Sequence, residues 1–344
     1  MKGKQRIKNY LSRCPILYRT VKRLLLLIGT PSQKQIERMV FRYNRKRFRK
    51  YSGCFKKSRA RDRAYMTWLY HVVEKGLSMP EMRLGFGEDK IRELHRVIAE
   101  YSKNYGKTDP ALYAAVSTAL EYERIHAESG YSLPPDILVL LKDIREEYPM
   151  ASPLNQITYD AELFFRCTEK SFDQFSASRH SVRNFGTEPV AVDTILEAVK
   201  IAGNAPSACN RQPARIHIVA DREKIIKCLQ LQNGNRGFGD LADKLLVITG
   251  DLSVVLGAQE FFDLNTNVGI FLMNLCYALH YKKIAHCVLN WYALPKQDKM
   301  LRKILELEES ESVVAMIVCG NVPESFKIVM SPRLPVSELY VLHG

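Results

Sequence analysis

The chain has 344 residues, of which 46% are hydrophobic and 26% charged, and it carries a net charge of +14. That is the make-up of a soluble globular protein with room for about two domains. No run approaches the roughly 20 apolar residues of a membrane-spanning helix, and LLLLIG at 24–29 is too short for a secretory signal, with no small-residue cleavage site after it.

The positive charge is concentrated at one end. Residues 1–63 hold 21 Lys or Arg against two acids, Glu37 and Asp62, so the rest of the chain is slightly acidic. The densest part, RYNRKRFRKY at 42–51, interleaves bases with Tyr43, Phe48 and Tyr51, and a short helix is expected from Pro15. The plainest reading of this basic arm is a solvated tail, or one packed on an acidic face. A basic helix with a Leu-rich face also suits an anionic membrane surface, where the protein would sit peripherally. Nucleic acid is disfavoured, because charge and aromatics alone point to no known binding fold.

Residues 64–150 read as a small helical region. The apolar spacing in RAYMTWLYHVVEKGL, with Gly76 as a candidate stop, predicts one helix. GEDKIRELHRVIAEYSK, DPALYAAVSTALEYERIHAE and LPPDILVLLKDIREEY predict three more, with prolines at their starts. His71 and Glu74 share a helical face. A hydrogen bond between them is favoured over a metal site, since only one such pair exists.

Residues 150–177 are expected to form one further helix. The chain then alternates. PVAVDTILEAVKIAG, DREKIIKCLQ, FFDLNTNVGIFLMNLCYALHYK and LPKQDKMLRKILEL read as helices, and ARIHIVA, DKLLVITGD, IAHCVLNW and SVVAMIVCGNV as strands. This predicts a three-layer domain from 151 to 344, and an α+β protein in all. The eight cysteines show no C-x-x-C pair, and several lie in apolar runs, which favours buried free thiols in a reducing, cytoplasmic setting. Cys209 has no basic partner in view and takes a bland role. The glycines of NGNRGFGD fit neither a dinucleotide fingerprint nor a P-loop.

Two polar clusters flank the helix predicted near 190–203. Arg179, Ser181 and Arg183 offer guanidinium forks and a hydroxyl, which suit a phosphate. Pro206, Ser207, Asn210 and Gln212 form a turn-rich loop whose amides and hydroxyl suit a flat heterocycle. From these residues alone, the ligand is anionic and aromatic.

The order of SRHSVRNF, APSACNRQP, a strand, an apolar helix, a strand ending in LNW and a late SPRLP resembles the FMN-dependent nitroreductase family over residues 172–342. HVVEKGLSMPEMRLGFG looks like an N-terminal extension found on some bacterial relatives. The resemblance implies a three-layer α/β/α flavin fold and a homodimer with shared flavin sites. It implies that Arg179, Ser181 and Arg183, with backbone from His180, hold the FMN phosphate and ribityl chain, and that Arg333 closes on the phosphate. Pro206, Ser207, Asn210 and Gln212 would reach the ring from the neighbouring subunit, and backbone at Leu289, Asn290 and Trp291 would face it. Asn233 or Asn235 would supply a further ring contact. Ser331 stands where the family often has a lysine, which implies fewer cations on the phosphate, and Ala214 stands where it often has an aromatic residue. The implied activity is NADH- or NADPH-dependent reduction of a conjugated small molecule in a ping-pong cycle, with the chemistry borne by the flavin. The alternative is a non-catalytic flavin-binding or membrane-docked scaffold.

Overall fold

The computed structural model describes residues 32–52, 54–153 and 156–344. The helix expected from Pro15 lies outside them. The second half of the basic arm, read from sequence only as charge with aromatics, is helical. Helix α1 (Gln33–Tyr51) opens on a Ser32 capping box and buries none of its residues. Arg and Lys are good helix formers, and Arg47 sits over the rings of Tyr43 and Tyr51. Phe41 packs against Phe261, 5.0 Å between centroids, which ties α1 to the far half of the chain.

Helices α2 (Arg59–Leu77), α3 (Glu88–Tyr105), α4 (Pro110–Glu128) and α5 (Pro135–Glu147) form the expected helical unit. Ser58 caps α2 and Asp109 caps α4, while Pro110 and Pro135 occupy first helical positions. The apolar stripes meet in a core of their own, including Met66, Leu69, Val73, Leu94, Tyr122 and Leu141. Gly76 is not the end of α2, which continues to Leu77. Its role is space. A Cβ there would lie 2.0 Å from Cε2 of Phe86, so the ring can pack only against a glycine.

The single helix expected over 150–177 is wrong. Strand β1 (Gln156–Tyr159), helix α6 (Ala161–Phe165) and helix α7 (Phe172–Ser178) replace it. Gln156–Tyr159 pairs antiparallel with β6 (Phe326–Val329), a strand not anticipated either. A partner about 170 residues away cannot be read from local periodicity. Asp160 then caps α6 by accepting from the Leu163 amide at 2.7 Å.

The four anticipated strands are all present: β2 (Ala214–Val219), β3 (Lys244–Asp251), β4 (Ala285–Asn290) and β5 (Glu311–Gly320). They form one sheet in the order β2-β3-β5-β4, antiparallel throughout. Side chains alternate between faces. Leu245, Val247, Met316 and Val318 join one core with α9 (Arg222–Leu229) and α11 (Pro295–Leu305). Leu246, Ile248, Ile317 and Cys319 join the opposite core with α8 (Val192–Ala202) and α10 (Asp263–Tyr281). Helices on both faces of one sheet give the three-layer α/β/α domain.

After β6 the tail returns to the helical unit. Arg63 of α2 donates to Glu338 at 3.1 Å and pairs with Asp109 at 3.0 Å. Asp109 is buried and also accepts from the Tyr101 hydroxyl at 2.6 Å.

Candidate functional site

The basic-hydroxyl segment leaves α7 and lies along the free edge of β4. The Val182 amide donates to the His286 carbonyl at 3.0 Å, and the Gly186 amide to the Asn321 carbonyl at 2.8 Å. Its start is anchored by His280, near the C-terminus of α10, whose Nε2 lies 2.8 Å from the Ser178 hydroxyl. That hydroxyl donates to the Phe175 carbonyl, so it accepts from His280, and the proton sits on Nε2.

The two arginines occupy different surroundings. Arg179 lies near two buried imidazoles. Burial first, with its charge adding to the effect, lowers His280 to about 3 and His286 to about 4. His180 is also lowered, by burial and then by the charges of Arg179 and Arg333. Arg333 therefore comes back from the tail to the same end of the segment. It is exposed, and its guanidinium donates to the Ser331 carbonyl at 2.9 Å. Ser178 and His180 border a hollow of about 510 Å³ beside Leu163 and Cys167.

Arg183 is only 8% exposed. Its guanidinium carbon lies 5.9 Å from the centroid of the fully buried Phe238 ring, and its Nε has no hydrogen-bond partner. Among the described residues it forms no ion pair. Burying an unpaired guanidinium is costly, so this arrangement is one that an anionic or carbonyl-rich ligand completes. Arg179 likewise forms no ion pair among the described residues, and no hydrogen bond of the Ser181 hydroxyl is seen there. The donors suit a phosphorylated, carbonyl-bearing ring such as FMN.

The end of β4 is organised by Gln232, which sequence reasoning did not single out, and by the candidate Asn233. Buried Gln232 donates to the Asn290 carbonyl at 3.0 Å, and Asn233 donates to the Tyr292 carbonyl at 3.3 Å. Asn235 turns inward and donates to the Leu229 and Gln232 carbonyls. Leu289 is buried and Asn290 exposed. Trp291 packs against the neighbouring core, and its indole donates to Asp298 at 3.1 Å.

The loop of Pro206, Ser207, Asn210 and Gln212 is built separately. Cys209, Asn210 and Gln212 all adopt left-handed backbone, with φ of 52°, 55° and 48°. Such conformations cost energy for non-glycine residues and gather at functional sites. Here they are held by the Ser207 hydroxyl, which accepts from the Gln212 amide at 2.9 Å, and by Asn267 of α10, which accepts from the Ala208 amide at 2.8 Å. Gln212 also donates to the Asn210 side chain at 3.1 Å. Pro206, Ser207 and Gln212 line a small cavity of about 120 Å³ with Asn267 and Phe271.

The two halves do not meet within one chain. Asn267 and His280 sit near opposite ends of α10, about 20 Å apart at 1.5 Å per residue. Arg179, His180, Ser181, Arg183 and Arg333 gather at one end, and Pro206 to Gln212 at the other.

This chain order and layering agree with a family comparison. Residues 177–321 match the nitroreductase family. Arg333, β6 and the helical unit lie outside the matched nitroreductase stretch. Among solved structures, the domain is similar to an FMN-dependent nitroreductase of Clostridium difficile R20291. The identity is 22%, over 44% of this chain and 87% of that one, with a TM-score of 0.39. It is also similar to a nitroreductase family protein of Streptococcus pneumoniae TIGR4, 22% identical over 50% of this chain and 100% of that one, TM-score 0.42. B. megaterium NfrA2 is 20% identical over 50% of this chain and 74% of its own, TM-score 0.44. No curated protein sequence matches.

Among the described residues no His, Cys, Asp and Glu group could hold a metal ion. His71 Nδ1 instead lies 3.1 Å from Glu74. No described helix is long and apolar enough to cross a membrane.

Proposed function

We propose that the nitroreductase domain holds FMN and, with NADH or NADPH as reductant, reduces a conjugated small molecule of the nitro or quinone type. The observation that carries this reading is Arg183, buried beside Phe238 with no counter-ion among the described residues. When bound, the flavin supplies the two-electron chemistry. The chain's own residues supply binding and orientation. Arg179 and Arg333 converge on His180 and offer two guanidinium forks to the phosphate, with the Ser181 hydroxyl beside them. Arg183, about 13 Å further along if the run is fully extended, serves the ring end, where charge accumulates on reduction. Gln232 and Asn233 hold the backbone at the end of β4 in place for that ring.

The loop at the other end of α10 is proposed to serve the flavin of a second copy. Leu196 of α8 and Ile270 and Met273 of α10 are exposed apolar side chains on the helical layer between the two halves. A homodimer that covers them would bring Ser207, Asn210 and Gln212 to the partner's site. The basic arm is proposed to meet an anionic membrane surface, since α1 keeps every residue out of the core. Liposome co-sedimentation that survives deletion of residues 1–63 overturns that assignment.

An absorbance spectrum before and after NADPH tests the main reading. The expected result is a yellow protein with a flavin band that bleaches on reduction. A colourless protein that cannot be reconstituted with FMN refutes it.

A further inference from the structure

Lys75 stands in the last turn of α2, in the helical unit, yet its ammonium reaches across to the nitroreductase domain. Nζ donates to the Gly234 carbonyl at 2.9 Å and lies 5.9 Å from the Phe238 centroid, the same distance as the guanidinium carbon of Arg183. Two cations from different units thus share one buried ring. The neighbouring contact is built for close approach, because Gly237 adopts φ +86° and a Cβ there would meet the Met79 sulfur at 3.3 Å.

Among the described residues no acid pairs with either cation. Burial lowers Lys75 first, and the charge of Arg183 lowers it further; the Cys287 thiol acts weakly the other way, and no carboxylate contributes. Glu74, next in sequence, turns one oxygen to His71, its other oxygen is buried without a hydrogen-bond partner, and it contributes nothing to the shift of Lys75. Elsewhere in the helical unit, cations next to buried groups have acidic partners, such as Arg63 with Asp109 and Arg124 with Glu121. A ring face offsets only part of the desolvation of a cation. Lys75 and Arg183 together leave a net charge that a ligand must answer.

We propose that Lys75 is a second cation of the flavin site, acting with Arg183 across Phe238 on the ring end of the ligand and not on its phosphate. The helical unit is then part of the binding site. This inference rests on the flavin reading above, and it also fits the neighbouring loop, whose Gln232 and Asn233 hold the end of β4.

The test is fluorescence titration of the full chain with FMN and with riboflavin, which lacks the phosphate. Lys75→Gln keeps a donor for the Gly234 carbonyl but removes the charge. It is expected to weaken both ligands by a similar factor, about tenfold, the range of one charge-assisted hydrogen bond. Lys75→Met should weaken them at least as much, and Lys75→Arg should stay within about threefold of the natural chain. Arg179→Gln should weaken FMN far more than riboflavin. Lys142→Gln, on the exposed face of α5, is the control, and thermal melts confirm that each variant is folded. If Lys75→Gln binds riboflavin as the natural chain does, the proposal fails, even where Lys75→Met is impaired, because only the carbonyl contact then matters. A loss confined to FMN also overturns it, by moving Lys75 to the phosphate. A natural chain that binds neither ligand refutes the flavin reading itself.

Discussion

Lowering the pH from about 7.5 to about 5.5 is expected to remove roughly 3 kcal/mol of folding stability through His280 and His286. Both imidazoles are about 1% exposed. His280 lies against Phe164, Phe165 and Phe175. As the last-turn histidine of α10 it could gain up to about 2 kcal/mol from the helix dipole when charged. Burial opposes this and wins, since lowering His280 from 6.5 to about 3 corresponds to about 5 kcal/mol. The sign follows from proton uptake. Between the ordinary histidine value and the folded values of about 3 and about 4, the unfolded chain binds protons that the native chain refuses. Stability is therefore full above the ordinary value and falls as pH drops through the window, by about 1.4 kcal/mol per histidine over this range. His180, lowered in the same way, adds in the same direction. Lowered carboxylates such as Asp109 and Glu311 begin to titrate only below their ordinary values of 3.8 and 4.5, so they stay largely out of this window. Urea unfolding at the two pH values measures the loss. His280→Gln, which keeps a donor for Ser178, should lose about half of the pH dependence. A stability that is flat across the window, or an unchanged slope in His280→Gln, would show that burial does not keep these rings neutral.

Other substitutions probe the helical unit and the tail. Gly76→Ala puts a Cβ 2.0 Å from the Phe86 ring and should cost about 1–3 kcal/mol, read as a lower melting temperature that a second change, Phe86→Ala, no longer worsens additively. Arg63→Gln removes one cation from buried Asp109 and frees Glu338; a loss of about 1–3 kcal/mol and faster proteolysis beyond residue 330 are expected. Thiol labelling of the native protein should modify exposed Cys54 and Cys209 first. Cys276 and Cys319, raised by burial to about 11 and about 12, should react only on unfolding.

Much of the fold was legible because the signals were local. The stripes of α2 to α5, their proline and serine starts, and the four apolar strands all carry their own periodicity. The strand pairing did not, because β1 needs β6 and the order β2-β3-β5-β4 depends on contacts far apart in sequence. At the site, Arg179, Ser181 and Arg183 were conspicuous as charge in a short run. Lys75 was not, being one base in an amphipathic helix whose neighbour across the unit boundary is a bare carbonyl, Gly234. Gln232 and Phe238 were hidden in a glycine-rich loop, where only Asn233 and Asn235 stood out, through the family resemblance.

The clasp between Arg63 and Glu338 joins residues 275 positions apart. During synthesis the helical unit can collapse onto its own core long before Glu338 leaves the ribosome. Arg63 must wait, with only Asp109 to answer it, until the domain carrying Arg333 has been made. The tail that holds Arg333 is then among the last parts to be secured, so Arg333 reaches its place near His180 only on a chain whose earlier parts are already in place.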